Sequence, residues 1–162
     1  MRKLITISVM DRRSFLVSAS AASCMLASIG RVAAENASAP ERSLQFDSEF
    51  QAIIGSATPV EHGLTVDLPE RADNGNFVPI TISVESPMTD ADYVKTIHLL
   101  STANPVAGVA RFHLSPLNGV ARVQSRLRLA KSQDVVTLAE LSTGDMLIAT
   151  SFVKVLIGGC GL

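Results

Sequence analysis

Hydrophobic and polar residues alternate with a period of two through most of the chain after residue 63. In 78–84, for example, four aliphatic residues alternate with Pro, Thr and Ser. This alternation is typical of β-strands that bury one face. Turn-forming residues, such as those at 73–75, separate the stretches. We predict an all-β, antiparallel, immunoglobulin-like β-sandwich of about seven strands, at 64–68, 78–84, 93–100, 109–114, 120–129, 135–141 and 146–157.

A different periodicity precedes the strands. Phe46, Phe50, Ile53 and Ile54 recur at the spacing that places side chains on one face of a helix. We therefore predict a short helix over 43–54, within an N-terminal extension that covers 35–62.

The first 34 residues have the organisation of an export signal. Arg12 and Arg13 precede a weakly apolar stretch rich in Ala and Ser, and small residues at 32–34 provide a cleavage site. The apolar stretch is shorter than the roughly 20 residues that a membrane-spanning helix needs. We predict a cleaved twin-arginine signal over 1–34 and a periplasmic protein with no membrane span. The alternative is a basic amphipathic N-terminus that is retained.

Removal of the signal changes the charge of the chain. The signal has five basic residues and one acidic residue, so a chain of net charge −1 becomes one of −5 with 128 residues. This length fits one domain, with the sandwich at 63–157. The acidic balance, the absence of Trp and the single Tyr argue against nucleic acid or an anionic membrane as a partner.

The segment after the last predicted strand is rich in glycine and contains a cysteine. Gly158, Gly159 and Gly161 surround Cys160, and Leu162 follows. Glycine is conformationally permissive, so we predict a flexible arm over 158–162 that presents an exposed, reactive thiol. The alternative is a buried or disulfide-bonded cysteine. The other cysteine of the chain lies in the predicted signal, which disfavours a disulfide.

These features together resemble the SoxY family, the sulfur-carrier subunits of the periplasmic sulfur-oxidising system. The resemblance rests on the Gly-Gly-Cys-Gly motif around Cys160, on the signal, and on three segments of the body. Those segments are Ile-Ser-Val-Glu-Ser-Pro-Met-Thr at 82–89, Val-Ala-Arg-Phe at 109–112 and Arg-Leu-Arg-Leu-Ala-Lys at 126–131. The family usually has a second glycine where this chain has Leu162.

The resemblance implies a carrier that has no catalytic activity and no cofactor apart from sulfur species attached to Cys160. It implies a heterodimer with a SoxZ-like subunit. A haem-containing enzyme would join thiosulfate or other inorganic sulfur to the cysteine, a hydrolase would release sulfate, and a dehydrogenase would oxidise the remaining sulfane sulfur. Gly158, Gly159 and Gly161 would keep the arm thin enough to enter the channels of these enzymes.

Other residues give weaker signals. His62, His98 and His113 lack the spacing of metal ligands, and we predict no metal site. The alternating arginines at 122, 126 and 128 could steer anions, although a solvated or partner-facing strand explains them as well. Three alternatives to the carrier remain: an exported immunoglobulin-like interaction module with an intermolecular disulfide, a metal or redox relay that uses the thiol, and a SoxY-like carrier in another pathway.

Overall fold

The computed structural model describes residues 42–159 of the 162-residue chain. Within this range one α-helix precedes eight strands, a short 3₁₀-helix covers Pro116–Asn118, and the strands form two sheets. The all-β prediction is confirmed, with one strand more than the seven expected. The elements are α1 (Leu44–Ile54), β1 (Leu64–Asp67), β2 (Arg71–Asn74), β3 (Val78–Val84), β4 (Val94–Ser101), β5 (Gly108–His113), β6 (Ala121–Leu127), β7 (Gln133–Leu141) and β8 (Met146–Ile157).

The two sheets differ in size. The smaller sheet has the order β1-β3-β6, and the larger has the order β2-β8-β7-β4-β5. Every pair is antiparallel except β2 and β8, which run parallel. The sheets pack face to face because each strand directs alternate side chains inward. In β3 the alternation is complete, and Val78, Ile80, Ile82 and Val84 are all buried.

The extra strand is β2, at 71–74. The sequence Arg-Ala-Asp-Asn is polar, and its last two residues belong to the turn that the sequence predicts at 73–75. Its backbone instead pairs with β8 through Arg71–Lys154, Ala72–Val155 and Asn74–Ile157. The turn begins only after this strand, where the Asn74 side chain accepts a hydrogen bond from the Asn76 amide at 2.9 Å. Pairing with the edge of β8 therefore determines the conformation of this segment, although its sequence favours a turn.

The helix α1 covers part of the outer face of the larger sheet. Ser43 caps it by accepting a hydrogen bond from the Phe46 amide at 3.2 Å. Phe46 stacks on Phe50, with ring centroids 5.7 Å apart, and belongs to a buried cluster with Leu100, Ala107, Val136, Leu138 and Met146. The predicted amphipathic helix is thereby confirmed. Among the described residues no helix is long and apolar enough to cross a membrane.

This arrangement buries the most apolar strands on both faces. Val135 and Leu147 pack between the sheets, whereas Val136 and Ile148 belong to the cluster under α1. These apolar strand segments are therefore covered within the chain itself, by the second sheet and by α1.

Candidate functional site

Cys160, Gly161 and Leu162 lie outside the described residues, as do Arg12 and Arg13 of the predicted signal. The structure nevertheless describes the two residues immediately before the cysteine. The contacts of Gly158 and Gly159 with the body of the protein define the start of the candidate site.

Strand β8 brings the chain to this point. Residues 146–153 of this strand pair with β7, and residues 154, 155 and 157 pair with β2 on the other side. At its end the Gly75 amide donates a hydrogen bond to the Ile157 carbonyl at 2.8 Å. Strand pairing thus fixes the backbone up to Ile157, as the sequence predicted.

The backbone remains bound beyond β8. The Gly159 amide donates a hydrogen bond to the Leu129 carbonyl at 2.8 Å, and the Leu129 amide donates to the Gly75 carbonyl, also at 2.8 Å. We call the backbone groups of Gly75, Leu129 and Gly159 the clasp. The first two residues of the predicted arm are therefore packed against the body, through the clasp and its neighbouring backbone. The flexibility of the arm over 158–162 stays a prediction.

The glycines of this region are explained by close backbone packing. A Cβ atom on Gly158 would collide with the Ala130 carbonyl oxygen, and one on Gly159 would collide with the backbone of Gly75 and Asn76. A Cβ atom on Gly75 would collide with the Leu129 carbonyl oxygen and lie 2.8 Å from the Gly159 nitrogen. None of these three glycines has the positive φ that favours glycine elsewhere. These three positions are therefore glycine because a Cβ atom would collide with the neighbouring backbone.

Buried side chains brace the segment that contains Leu129. Asn104 donates a hydrogen bond to the Arg128 carbonyl at 2.8 Å and accepts one from the Ala130 amide at 2.9 Å. The Asn104 oxygen also accepts a hydrogen bond from Gln133, at 2.8 Å. Gln133 is fully buried. One amide side chain therefore holds the peptides on both sides of Leu129.

The surface around the clasp is apolar and basic. Phe77 and Ile157 are each 67% exposed. Arg128 and Lys131 are also exposed, and neither forms an ion pair with a described residue. Uncompensated cations beside the clasp lower the free energy of an anion bound nearby, although solvent screens this effect.

The three histidines considered in the sequence are not grouped together in the described structure. His62 and His113 are exposed, whereas His98 is buried on β4 beneath α1. Burial lowers the pKa of His98, and the neighbouring Arg111 lowers it further. Among residues 42–159 no three His, Cys, Asp or Glu side chains are grouped to hold a metal ion.

The predicted arginines lie on or just after β6. Arg122 and Arg126 are exposed beside Gln124 on the outer surface of the smaller sheet, and exposed Arg128 follows the end of the strand. Arg128 directly precedes Leu129 of the clasp, and Arg126 lines a cavity together with Arg128 and Asn104. Arg122 is not among the residues that line this cavity.

A family model described as sulfur oxidation protein SoxY matches residues 50–160. The chain belongs to the SoxY family. The solved structure of the sulfur carrier protein SoxY from Chlorobium limicola f thiosulfatophilum is 30% identical, with a TM-score of 0.56. The match covers 70% of this chain and 97% of the Chlorobium chain.

The fold extends beyond the SoxY family. A superoxide reductase (neelaredoxin) from Ignicoccus hospitalis is 22% identical with a TM-score of 0.52, and the match covers 58% of this chain and 80% of the other. A likeness at this identity shows the fold alone. None of the curated proteins compared with the sequence matches it.

The sequence identified Gly158 and Gly159 as functional residues, but it predicted that their role is to make the arm flexible. It missed Gly75, Asn104 and Gln133 as parts of the same site. One signal was available: the SoxY-like segment at 126–131 contains the residues that contact the two glycines.

Proposed function

We propose that this SoxY family member carries sulfur covalently on Cys160 during the periplasmic oxidation of thiosulfate or other inorganic sulfur. The single observation that carries the proposal is the family match, which extends over the body and includes Cys160. The similar Chlorobium protein is described as a sulfur carrier. Cys160 is also the only cysteine of the chain outside the predicted signal.

The chemistry starts from the thiolate, which is the nucleophilic form of cysteine. Joining it to thiosulfate forms one S–S bond and releases two electrons, which the haem-containing partner enzyme accepts. Hydrolysis then releases sulfate and leaves sulfane sulfur on the cysteine, which a dehydrogenase oxidises. Covalent attachment keeps each intermediate at high effective concentration for the next enzyme.

In this proposal the partner enzymes catalyse every step, and the chain itself catalyses none. The body is the surface that partner enzymes recognise, and Cys160 is the attachment point. A SoxZ-like subunit completes the carrier as a heterodimer. The twin-arginine signal with Arg12 and Arg13 directs the chain to the periplasm, where the sulfur-oxidising enzymes would meet it.

The first prediction tests attachment with a Cys160→Ser variant. The variant should fold normally, since the clasp ends at Gly159 and needs no side chain at position 160. It should acquire no sulfur adduct, because the nucleophile is missing. Intact-mass spectrometry of the protein purified from its own cells, grown with and without thiosulfate, measures the adduct, and thermal unfolding measures the fold.

Three results would contradict the carrier function. Sulfur adducts that persist in the variant would place the attachment elsewhere. A disulfide-linked dimer as the main wild-type species would support an interaction module instead. Bound metal that is lost with the thiol would support a relay.

A further inference from the structure

Leu129 connects the exit of the cysteine-bearing segment to the core of the sandwich. Its carbonyl accepts the hydrogen bond from Gly159, and its amide donates to Gly75. Its side chain is fully buried in the core between the sheets. The position of Gly159 is therefore set by a residue that cannot move without disturbing the core.

Leu129 is not part of a strand, so strand pairing does not fix its peptide groups. Asn104 performs this task by bonding the Arg128 carbonyl and the Ala130 amide. Gln133 in turn fixes Asn104, because its side-chain nitrogen donates to the Asn104 oxygen at 2.8 Å and to the Lys131 carbonyl at 3.1 Å.

The orientation of Gln133 is also determined. Its side-chain oxygen accepts a hydrogen bond from the Ala103 amide at 2.7 Å. Both buried amides thus have partners for donor and acceptor groups, and a fully satisfied buried network favours a single arrangement of the backbone around it.

We propose that Asn104 and Gln133 are positioning residues for Cys160, which act by bracing the clasp. This inference rests on the carrier function proposed above. Consecutive Cα atoms are about 3.8 Å apart, so a fixed Gly159 restricts the start of the cysteine to a small region beside the body. An open clasp would free Gly158 and Gly159 and extend the reach of the thiol by roughly 7 Å.

The fixed Gly159 determines where the segment that carries the thiol leaves the body, beside exposed Phe77 and Ile157. Asn104 and Gln133 maintain this exit point, because they hold the peptides on both sides of Leu129.

Amide hydrogen exchange of the full chain, measured by NMR, tests the proposal directly. A Cys24→Ser background leaves Cys160 as the only cysteine for a nitroxide label, whose mobility is measured by electron paramagnetic resonance. Asn104→Ala and, separately, Gln133→Leu should each accelerate exchange of the Gly159 amide at least about tenfold relative to that of Val153, because exchange follows local opening. Both should also increase label mobility.

Asn118→Ala is the matched control. Asn118 also accepts a loop amide hydrogen bond, from Ser115 at 2.8 Å. It lies before the start of β6, whereas Leu129 lies beyond the end of that strand. This variant should leave exchange of the Gly159 amide and label mobility unchanged.

The exchange rate of the Gly159 amide is compared with that of the Val153 amide, because Val153 is fully buried in β8. The ratio of the two rates distinguishes clasp opening from a general loss of stability. Equal acceleration of the Gly159 and Val153 amides would overturn the proposal, as would a label that stays as restricted as in the parent. A parent protein that acquires no sulfur would refute the carrier function, but the exchange and label results would still decide whether the amides brace the clasp.

Discussion

At the residue scale, the glycines beside the cysteine have a different role from the one that their flexibility indicates. Gly158 and Gly159 leave space for the backbone of Ala130 and of Gly75 with Asn76. The sequence predicted that glycine matters here, because the composition of the segment is unusual. It could not predict the reason, since the partners lie about 30 and 85 residues away and leave no local pattern.

The second residue of this kind is Gly75, and we predict that Gly75→Ala opens the clasp. The added methyl group would collide with the Leu129 carbonyl and approach the Val155 side chain to 3.0 Å. Overpacking of this kind costs about 1–3 kcal/mol. Chemical denaturation should show this loss of unfolding free energy, and exchange of the Gly159 amide should accelerate.

Gly108→Ala provides the control. Gly108 also has no positive φ, but its new methyl group would meet only the carboxylate end of Glu49, which can rotate away. This variant should be clearly less destabilising than Gly75→Ala. Equal stability of the two variants would show that backbone crowding at Gly75 is relieved without cost.

At the element scale, the sequence predicts strands correctly where a segment has its own hydrophobic periodicity. It fails where pairing with a neighbouring strand determines the secondary structure. The bounds of β3 and β8 match the predicted ranges, because both segments have long runs of β-branched or alternating apolar residues. Strand β2 was missed, because its four residues are polar and pair with β8 only in the folded sheet. The clasp depends on this missed strand, since Gly75 directly follows it.

The helix α1 was predicted from its apolar face, and that face identifies the residue that anchors it. Phe46 is only 2% exposed. We predict that Phe46→Ala destabilises the protein by roughly 3–5 kcal/mol, the usual cost of removing a buried aromatic side chain. Thermal and urea unfolding measure the effect.

Leu44→Ala is the matched control on the same turn of α1. Leu44 is 89% exposed, so its removal should change the unfolding free energy by less than about 0.5 kcal/mol. Similar losses in the two variants would mean that α1 contributes through its helical propensity and not through its contact with the sheet.

At the scale of the whole molecule, the chain covers its own most apolar surfaces and leaves a smaller one open. The second sheet covers one face of the larger sheet, and α1 covers part of the other. Phe152 and Leu156 are about half exposed, and their spacing of four residues along β8 places them on the same side of the sheet, with exposed Lys154 between them. This patch precedes the segment that leads to Cys160.

We predict that a β-rich, SoxZ-like subunit binds across this patch. A stable heterodimer should bury at least about 1,000 Å². Phe152→Asp should weaken association at least about tenfold, because it places a charge in an apolar contact. Co-purification at native expression levels followed by light scattering measures the complex, and thermal unfolding of the free chain verifies its fold.

Leu117→Asp is the control, since Leu117 is 98% exposed and lies before the start of β6, remote in sequence from the patch. If both variants bind the partner as tightly as the parent chain, the heterodimer uses another face. If the native chain purifies as a monomer, the heterodimer itself must be abandoned.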